Sequence, residues 1–321
     1  MSVRVRDRLI ERILLLAATS AVGMLALITI FIFREGMPVI LDHGPLAFIG
    51  GLTWAPTDGQ YGLLPMIAGS AVVTAGALVI GLPLGLACAI TLAEMAPPRA
   101  RTVLKPTIEL LAGVPSVVYG FIGMEVLVPF IRNAPMLGGP GYSALAASII
   151  LAVMVLPTII GISIDAIEAV PRSFREGSLA LGATQWQTIT GVVLPAARSG
   201  IVAGVILGMG RAVGETMAVI MVAGNSVQVP HSLLDPVRTL TANIALEMGY
   251  ASGAHAQALF ATGIVLFVIS LGLNEIAGLV RGRKRSAVAA PDTAGAVNTA
   301  EARAELMRER TPGARLMEPS L

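Results

Sequence analysis

Arg211 lies inside a long apolar run, residues 200–222, with Glu215 four positions further on and Thr216 beside it. A guanidinium at mid-bilayer costs about 2.5–3.5 kcal/mol on insertion scales, so it is retained where it faces a bundle interior or an aqueous path. Its planar fork of N–H donors matches the oxygens of a tetrahedral oxyanion, and one fixed positive charge at that depth suits an anion as cargo. Glu215, four residues on, is expected to share a helix face with Arg211 and to neutralise it whenever no anion is bound. The same two residues could instead form a permanent ion pair between spans, which removal of either member would also damage. Softer candidates sit in an earlier apolar run. There Gly113, Pro115 and Gly120 interrupt the helical ladder, and Ser116 and Tyr119 could turn hydroxyls toward an oxyanion. Equally, Ser116 could bond back to its own helix and Tyr119 could sit at an interface. Glu125 reads as an interfacial carboxylate, and Met154, Met209 and Met217 read as packing residues.

The elements that must position these residues are membrane spans. Hydrophobic residues make up 55% of the 321 and charged residues only 13%, against about 25% charged in a soluble domain. Six stretches are long enough to cross a hydrocarbon layer about 30 Å thick as helices: 14–33, 64–93, 110–131, 145–164, 200–222 and 256–273. The second is over-long and holds Pro65 and Pro83, so it is expected to bend or to begin outside the layer. The basic start resembles a signal peptide, but the apolar run continues uncharged to Phe33 without a small-residue cleavage site, which predicts an uncleaved first span. Cys88 is the single cysteine, so no intrachain disulfide forms. His43, His231 and His255 are scattered without metal-ligand spacing, and no metal site is expected.

Charge sets the topology. Eighteen basic residues fall in the amino terminus, in the loops after spans two and four, and in the carboxyl tail; only Arg34, Arg132 and Arg238 fall on the opposite side. The positive-inside rule puts both termini in the cytoplasm, and the net charge of +2 follows from this asymmetry rather than signalling nucleic acid. The expected organisation is a cytoplasmic segment 1–13, a six-span domain 14–280 with a cytoplasmic loop at about 165–198, and a basic, disordered tail 281–321.

That loop reads Glu176-Gly177-Ser178, three residues, Gly182, nine residues, then Val192-Val193-Leu194-Pro195. It resembles the EAA motif of ABC-importer permeases in its Glu, its Gly, its spacing, its Leu and its Pro; Gly177 and Ser178 stand where alanines are usual, and Val192 replaces Ile. A helix ending near Gly182 in a left-handed turn suits a docking element, with Phe174, Leu179, Leu181 and Trp186 as apolar contacts. An ordinary amphipathic linker is the plainer alternative.

Three further segments extend the likeness. They are Arg211-Ala-Val-Gly-Glu-Thr-Met-Ala-Val219, the run Glu109–Gly120 with its Gly-Val-Pro-Ser core, and Trp54-Ala-Pro56 followed by Tyr61-Gly-Leu-Leu-Pro65. Together they resemble the phosphate-specific ABC importer permeases of the PstC type over about residues 30–280, with Ser70 where that family usually has Thr. The resemblance implies an all-α integral membrane protein with the six-helix type I importer fold. It implies Arg211, Glu215, Thr216, Ser116 and Tyr119 along the pathway, and Glu176, Gly177, Ser178, Gly182, Val192, Leu194 and Pro195 in coupling to the ATPase. It also implies a PstA-type companion permease, a PstB-type ATPase dimer and a PstS-type phosphate-binding protein. No P-loop pattern occurs in the chain and its only lysines are Lys105 and Lys284, so ATP and Mg are expected in the partner ATPase, and no cofactor in this chain. A permease for sulfate or molybdate fits the same charge and geometry. An ion-coupled carrier fits the spans but leaves the 176–195 loop without a purpose.

Overall fold

The computed structural model of the protein describes residues 3–135 and 139–282; the tail expected to be disordered lies almost wholly outside them. A long first helix, α1 (Val3–His43), and a short α2 (Pro45–Gly50) lead into a hairpin of β1 (Trp54–Ala55) and β2 (Gln60–Tyr61), paired antiparallel with Trp54 opposite Tyr61. Then come α3 (Leu64–Ile90), α4 (Pro98–Ala112), α5 (Ser116–Ile122), α6 (Val128–Asn133) and α7 (Ala144–Glu168). The rest is α8 (Arg172–Ala180), α9 (Gln185–Thr188), α10 (Leu194–Gly214), α11 (Met217–Val222), α12 (Leu240–Glu247) and α13 (Ala254–Gly282).

Among the described residues five helical stretches are long and apolar enough to cross a bilayer: Ile10–His43, Leu64–Met95, Ala144–Glu168, Gln185–Gly214 and Ala254–Glu275. The sixth is interrupted. Helix α4 meets the helical stretch Ser116–Asn133 at 92°, because Pro115 donates no N–H and holds Val114 away from helical geometry. Residues 110–112, read from sequence as the start of span three, therefore belong to α4. Span five is also corrected at both ends: its helix begins at Gln185, well before residue 200, and ends at Gly214.

Among the described residues three π-helical turns precede prolines. Gly123–Leu127 before Pro129 and Ile189–Val193 before Pro195 bend their helices without severing them, because the carbonyl four residues before the proline lies in the widened turn, which relieves the ring clash and absorbs the missing donor. Pro195 thus sits inside a continuous helix. Thr91–Met95 instead ends the second span, and Ala96 and Pro97 beyond it are extended.

Helices α3, α7 and α10 pack side by side around a core that includes Val73, Ala77, Leu151, Met154, Val155 and Ile159. Met154 is buried as expected, whereas Met209 is half-buried and Met217 is exposed. A second cluster at the outer end joins Val39, Phe48, Trp54, Leu63, Leu240 and Leu259. There α1 rests on α13, with Phe31 edge-on to Phe260 at 5.4 Å and Phe33 edge-on to Phe267 at 6.2 Å. The loop before α12 is stitched to the start of α7: Ala144 N–H donates to the Asp235 carbonyl at 2.9 Å and Leu145 N–H to Leu233 at 2.7 Å.

Candidate functional site

Arg211 is half-buried in the last turn of α10. Beyond Gly214 the backbone leaves the helix: Glu215 is extended (φ −70°, ψ 132°), and α11 restarts after Thr216. Glu215 therefore does not share a helix face with Arg211, and the ion pair expected between them is absent. The Glu215 carboxylate instead accepts from the Ala218 N–H at 3.2 Å, satisfying an open donor at the start of α11. Its carbonyl accepts from the Thr241 hydroxyl at 2.9 Å, so the outer helix α12 holds the break in place. Among the described residues no carboxylate lies within ion-pair distance of Arg211. Thr216 is half-buried at the break, its hydroxyl 3.3 Å from the Gly214 carbonyl.

The two interrupted spans meet. A Cβ placed on Gly120 of α5 would come within 2.7 Å of Met221 Sδ and 2.9 Å of Ala218 Cα on α11. Gly120 thus permits close approach inside an intact helix rather than breaking it; the interruption belongs to residues 113–115. Ser116 opens α5, half-buried. Tyr119 packs against the central core, and its hydroxyl donates to the Leu111 carbonyl at 2.8 Å, capping α4 across the bend. Its proton is spent on the fold. Glu125 is exposed in a π-helical turn.

The 176–195 loop is built as a helix stop and a helix start. Gly182 has φ +84°, its N–H donates to the Leu179 carbonyl at 3.0 Å, and the Ala183 N–H donates to Ser178 at 3.2 Å. This paired closure requires a left-handed residue that only glycine adopts without strain. Two residues later Thr184 and Gln187 cap α9 reciprocally, at 3.3 and 2.8 Å. The Ser178 hydroxyl lies 2.9 Å from that of Thr188 and draws α8 onto α9. Gly177 and Glu176 are exposed, Val192 and Leu194 half-buried and Pro195 exposed. Phe174, Leu179, Trp186 and, at 91% exposure, Leu181 present an apolar face to the cytoplasmic side.

Behind that face is a polar node the sequence reading missed. Arg175 of α8 donates to both carboxylate oxygens of Glu94 in the π-helical turn that continues α3 to Met95, the closest contact being 2.6 Å from Nη2 to Oε1. It also donates to the carbonyls of Val170 at 2.6 Å and Ile167 at 2.9 Å. Arg101 of α4 caps the Leu92 and Ala93 carbonyls and pairs with Glu168 at 3.1 Å. At the outer end Glu247 collects Trp54 Nε1 at 2.8 Å, Arg238 Nη1 at 2.6 Å and His255 Nε2 at 2.8 Å. His255 is thereby an interface residue. Ser70 Oγ accepts from the Leu240 N–H at 3.0 Å, a use of the hydroxyl that Ser and Thr share.

Residues 81–286, more than half of the chain, match the family described as "Binding-protein-dependent transport system inner membrane component". The chain belongs to this family. The permease is 49% identical over 249 residues to "Probable ABC transporter permease protein YqgH" of Bacillus subtilis, which covers 76% of this chain and 80% of that protein. It is 37% identical over 287 residues to "Phosphate transport system permease protein PstC" of Xylella fastidiosa, 83% and 88% of the two chains. Among solved structures it is similar to a bacterial ABC transporter involved in the import of the acidic polysaccharide alginate, with TM-score 0.56, 16% identity, and 86% of this chain and 99% of that chain covered. An amino acid ABC transporter gives TM-score 0.50 at 19% identity over 68% and 92%. At such identities the likeness is one of fold, the type I importer permease. The permease is accordingly a multi-pass inner-membrane subunit of an ABC importer, a family whose members work with an ATPase and a binding protein.

The nodes at Arg175 and Glu247 escaped the sequence because their partners are far apart along the chain: 81 residues separate Glu94 from Arg175, and 193 separate Trp54 from Glu247. The one available signal was Arg175 beside Glu176, read only as topology. A basic residue adjoining a docking motif merits a search for an acidic residue at a span end.

Proposed function

We propose that the permease carries inorganic phosphate inward, forming half of the pathway with a PstA-type companion permease. A PstB-type ATPase dimer, with its ATP and Mg, drives it, and a PstS-type binding protein delivers the anion. The observation that carries this reading is Arg211: a half-buried cation on a membrane span, with no carboxylate in ion-pair reach among the described residues. Phosphate bears between about one and two negative charges at neutral pH and presents oxygens that a guanidinium fork grips in pairs. The names of relatives such as the Xylella protein support phosphate as the cargo.

In this reading Arg211 supplies positive potential to the passing anion. Glu215 shapes the break that leaves Arg211 unneutralised, and Thr216 and Ser116 offer hydroxyls at the starts of α11 and α5. Tyr119 holds the bend between α4 and α5. Glu176, Gly177, Ser178, Gly182, Val192, Leu194 and Pro195 form the element that meets the ATPase. Hydrolysis takes place on the partner, and this chain performs no chemistry of its own. The test is ATP-driven uptake by the reconstituted assembly, offered phosphate, sulfate and molybdate in parallel. Phosphate should be accumulated and the other two left outside. Accumulation of sulfate or molybdate in preference to phosphate would overturn the cargo, and uptake by the chain alone without ATP would overturn the importer reading.

A further inference from the structure

We propose that Arg175 and Glu94 form a positioning clasp that transmits movement of the docking helix α8 to spans α3 and α7, so that ATP hydrolysis is converted into transport. The inference rests on the permease assignment and not on the identity of the cargo.

The geometry points to this role in three ways. First, Arg175 uses its fork on two spans at once: Glu94 lies in the π-helical turn that ends the second span, Ile167 in the last turn of α7 and Val170 two residues past its end. A guanidinium holds such a set in one fixed plane, which an ammonium on a flexible stem does not reproduce. Second, the clasp is shielded, with side-chain exposures of 21% for Arg175 and 11% for Glu94, so its charge-assisted bonds are stronger than those of a surface pair. Third, it lies directly behind the apolar docking face, since Phe174 and Glu176 flank Arg175 and are exposed. The same π-helical turn is held from α9, where Gln185 Nε2 donates to the Glu94 carbonyl at 3.2 Å. A push on α8 and α9 therefore arrives at the termini of the two spans that form the centre of the bundle. Through α9 it also enters α10 without a break in the helix, and the turn after Gly214 is the first place where that stretch yields.

A merely structural pair would lower the amount of assembled complex and leave each assembled copy working normally. A coupling clasp does the opposite. The measurement is anion accumulated per ATP hydrolysed, in proteoliposomes containing the whole importer at equal assembled complex. The anion is whichever one the unmodified importer accumulates, so failure of the phosphate assignment and failure of the clasp remain distinguishable. Glu94→Gln keeps the side chain's shape and removes its charge. It should preserve ATP hydrolysis while reducing the ratio by about two- to thirtyfold, the range over which contacts in a coupling network shift an equilibrium. Arg175→Lys retains charge but loses the fork and should lower the ratio in the same direction. An unchanged ratio in Glu94→Gln would overturn the proposal, as would a proportional fall in uptake and hydrolysis. Should Arg175→Lys fail to assemble, Glu94→Gln decides by the same ratio, because it removes no atom from the packing.

Discussion

Arg175 and Arg211 are both half-buried arginines on helices of the same chain, yet one is saturated and the other is left open. Arg175 donates to the Glu94 carboxylate in the turn that ends the second span and to two carbonyls at and just past the end of α7. Arg211 has no carboxylate partner among the described residues, because the helix ends at Gly214 and the nearest one, Glu215, is spent on the start of α11. A guanidinium whose donors are satisfied by the fold fixes the relative position of the elements it joins. One whose donors are withheld from the fold keeps its charge free for the passing anion of the proposed pathway. The difference is made by the backbone: a helix break removes the counter-ion that helical spacing would have provided.

The largest expected effect comes from removing the open charge. Arg211→Gln should lower uptake per assembled complex by about 10- to 100-fold, the value of about one charge-assisted hydrogen bond, while assembly and ATPase binding stay normal. Assembly should survive because the substitution strands no buried carboxylate. Poor assembly of Arg211→Gln, restored by adding Glu215→Gln, would mean that the two residues are a structural pair after all and would erase the contrast with Arg175.

Next comes the turn that ends the docking helix. Gly182→Val forces a β-branched residue to φ +84°, a strain of about 1–3 kcal/mol. Nothing lies within 4 Å of a Cβ built at Gly182, so the cost is conformational and not steric. Membrane insertion should be unaffected, and transport and ATPase stimulation should fall together. Normal uptake by this variant would remove the loop from coupling.

A saturated node at the opposite end of the bundle sharpens the comparison. Glu247→Gln weakens the hub that joins Trp54, Arg238 and His255, and should cost about 1–3 kcal/mol of stability. The expected record is a lower thermal midpoint in detergent with uptake per folded complex unchanged. A variant of unaltered stability but impaired uptake would place Glu247 with Arg211 rather than with the structural nodes. The smallest effect belongs to Ser70→Ala, which strips an acceptor from the Leu240 N–H and should cost about 1 kcal/mol. Ser70→Thr should be silent in the same thermal assay, since the hydroxyl is kept.

Much of this arrangement was legible before any coordinates. The apolar runs, the charge asymmetry and the spacing from Glu176 to Pro195 point to the spans, their orientation and the family. Gly182 was readable because a helix stop at that point needs a left-handed residue. Periodicity failed where backbone geometry departs from a regular helix. It carried Arg211 and Glu215 onto one face of a helix that ends between them, and it began span five fifteen residues late because the start of that helix, from Gln185, is polar. It also gave Gly120 a break that belongs to Pro115.

Local sequence determines what is decided locally: a proline's missing N–H, glycine's left-handed turn, and the cost of charge in hydrocarbon that limits Arg211 to a useful position. Tertiary structure decided what depends on partners distant in the chain. It set the clasp between Glu94 and Arg175, the hub at Glu247, the Thr241 contact that secures the break, and the meeting of α5 with α11 at Gly120. The physical reason is that a buried polar group must find a partner, but its own sequence neighbourhood does not say which of many distant groups the packed helices will bring within reach.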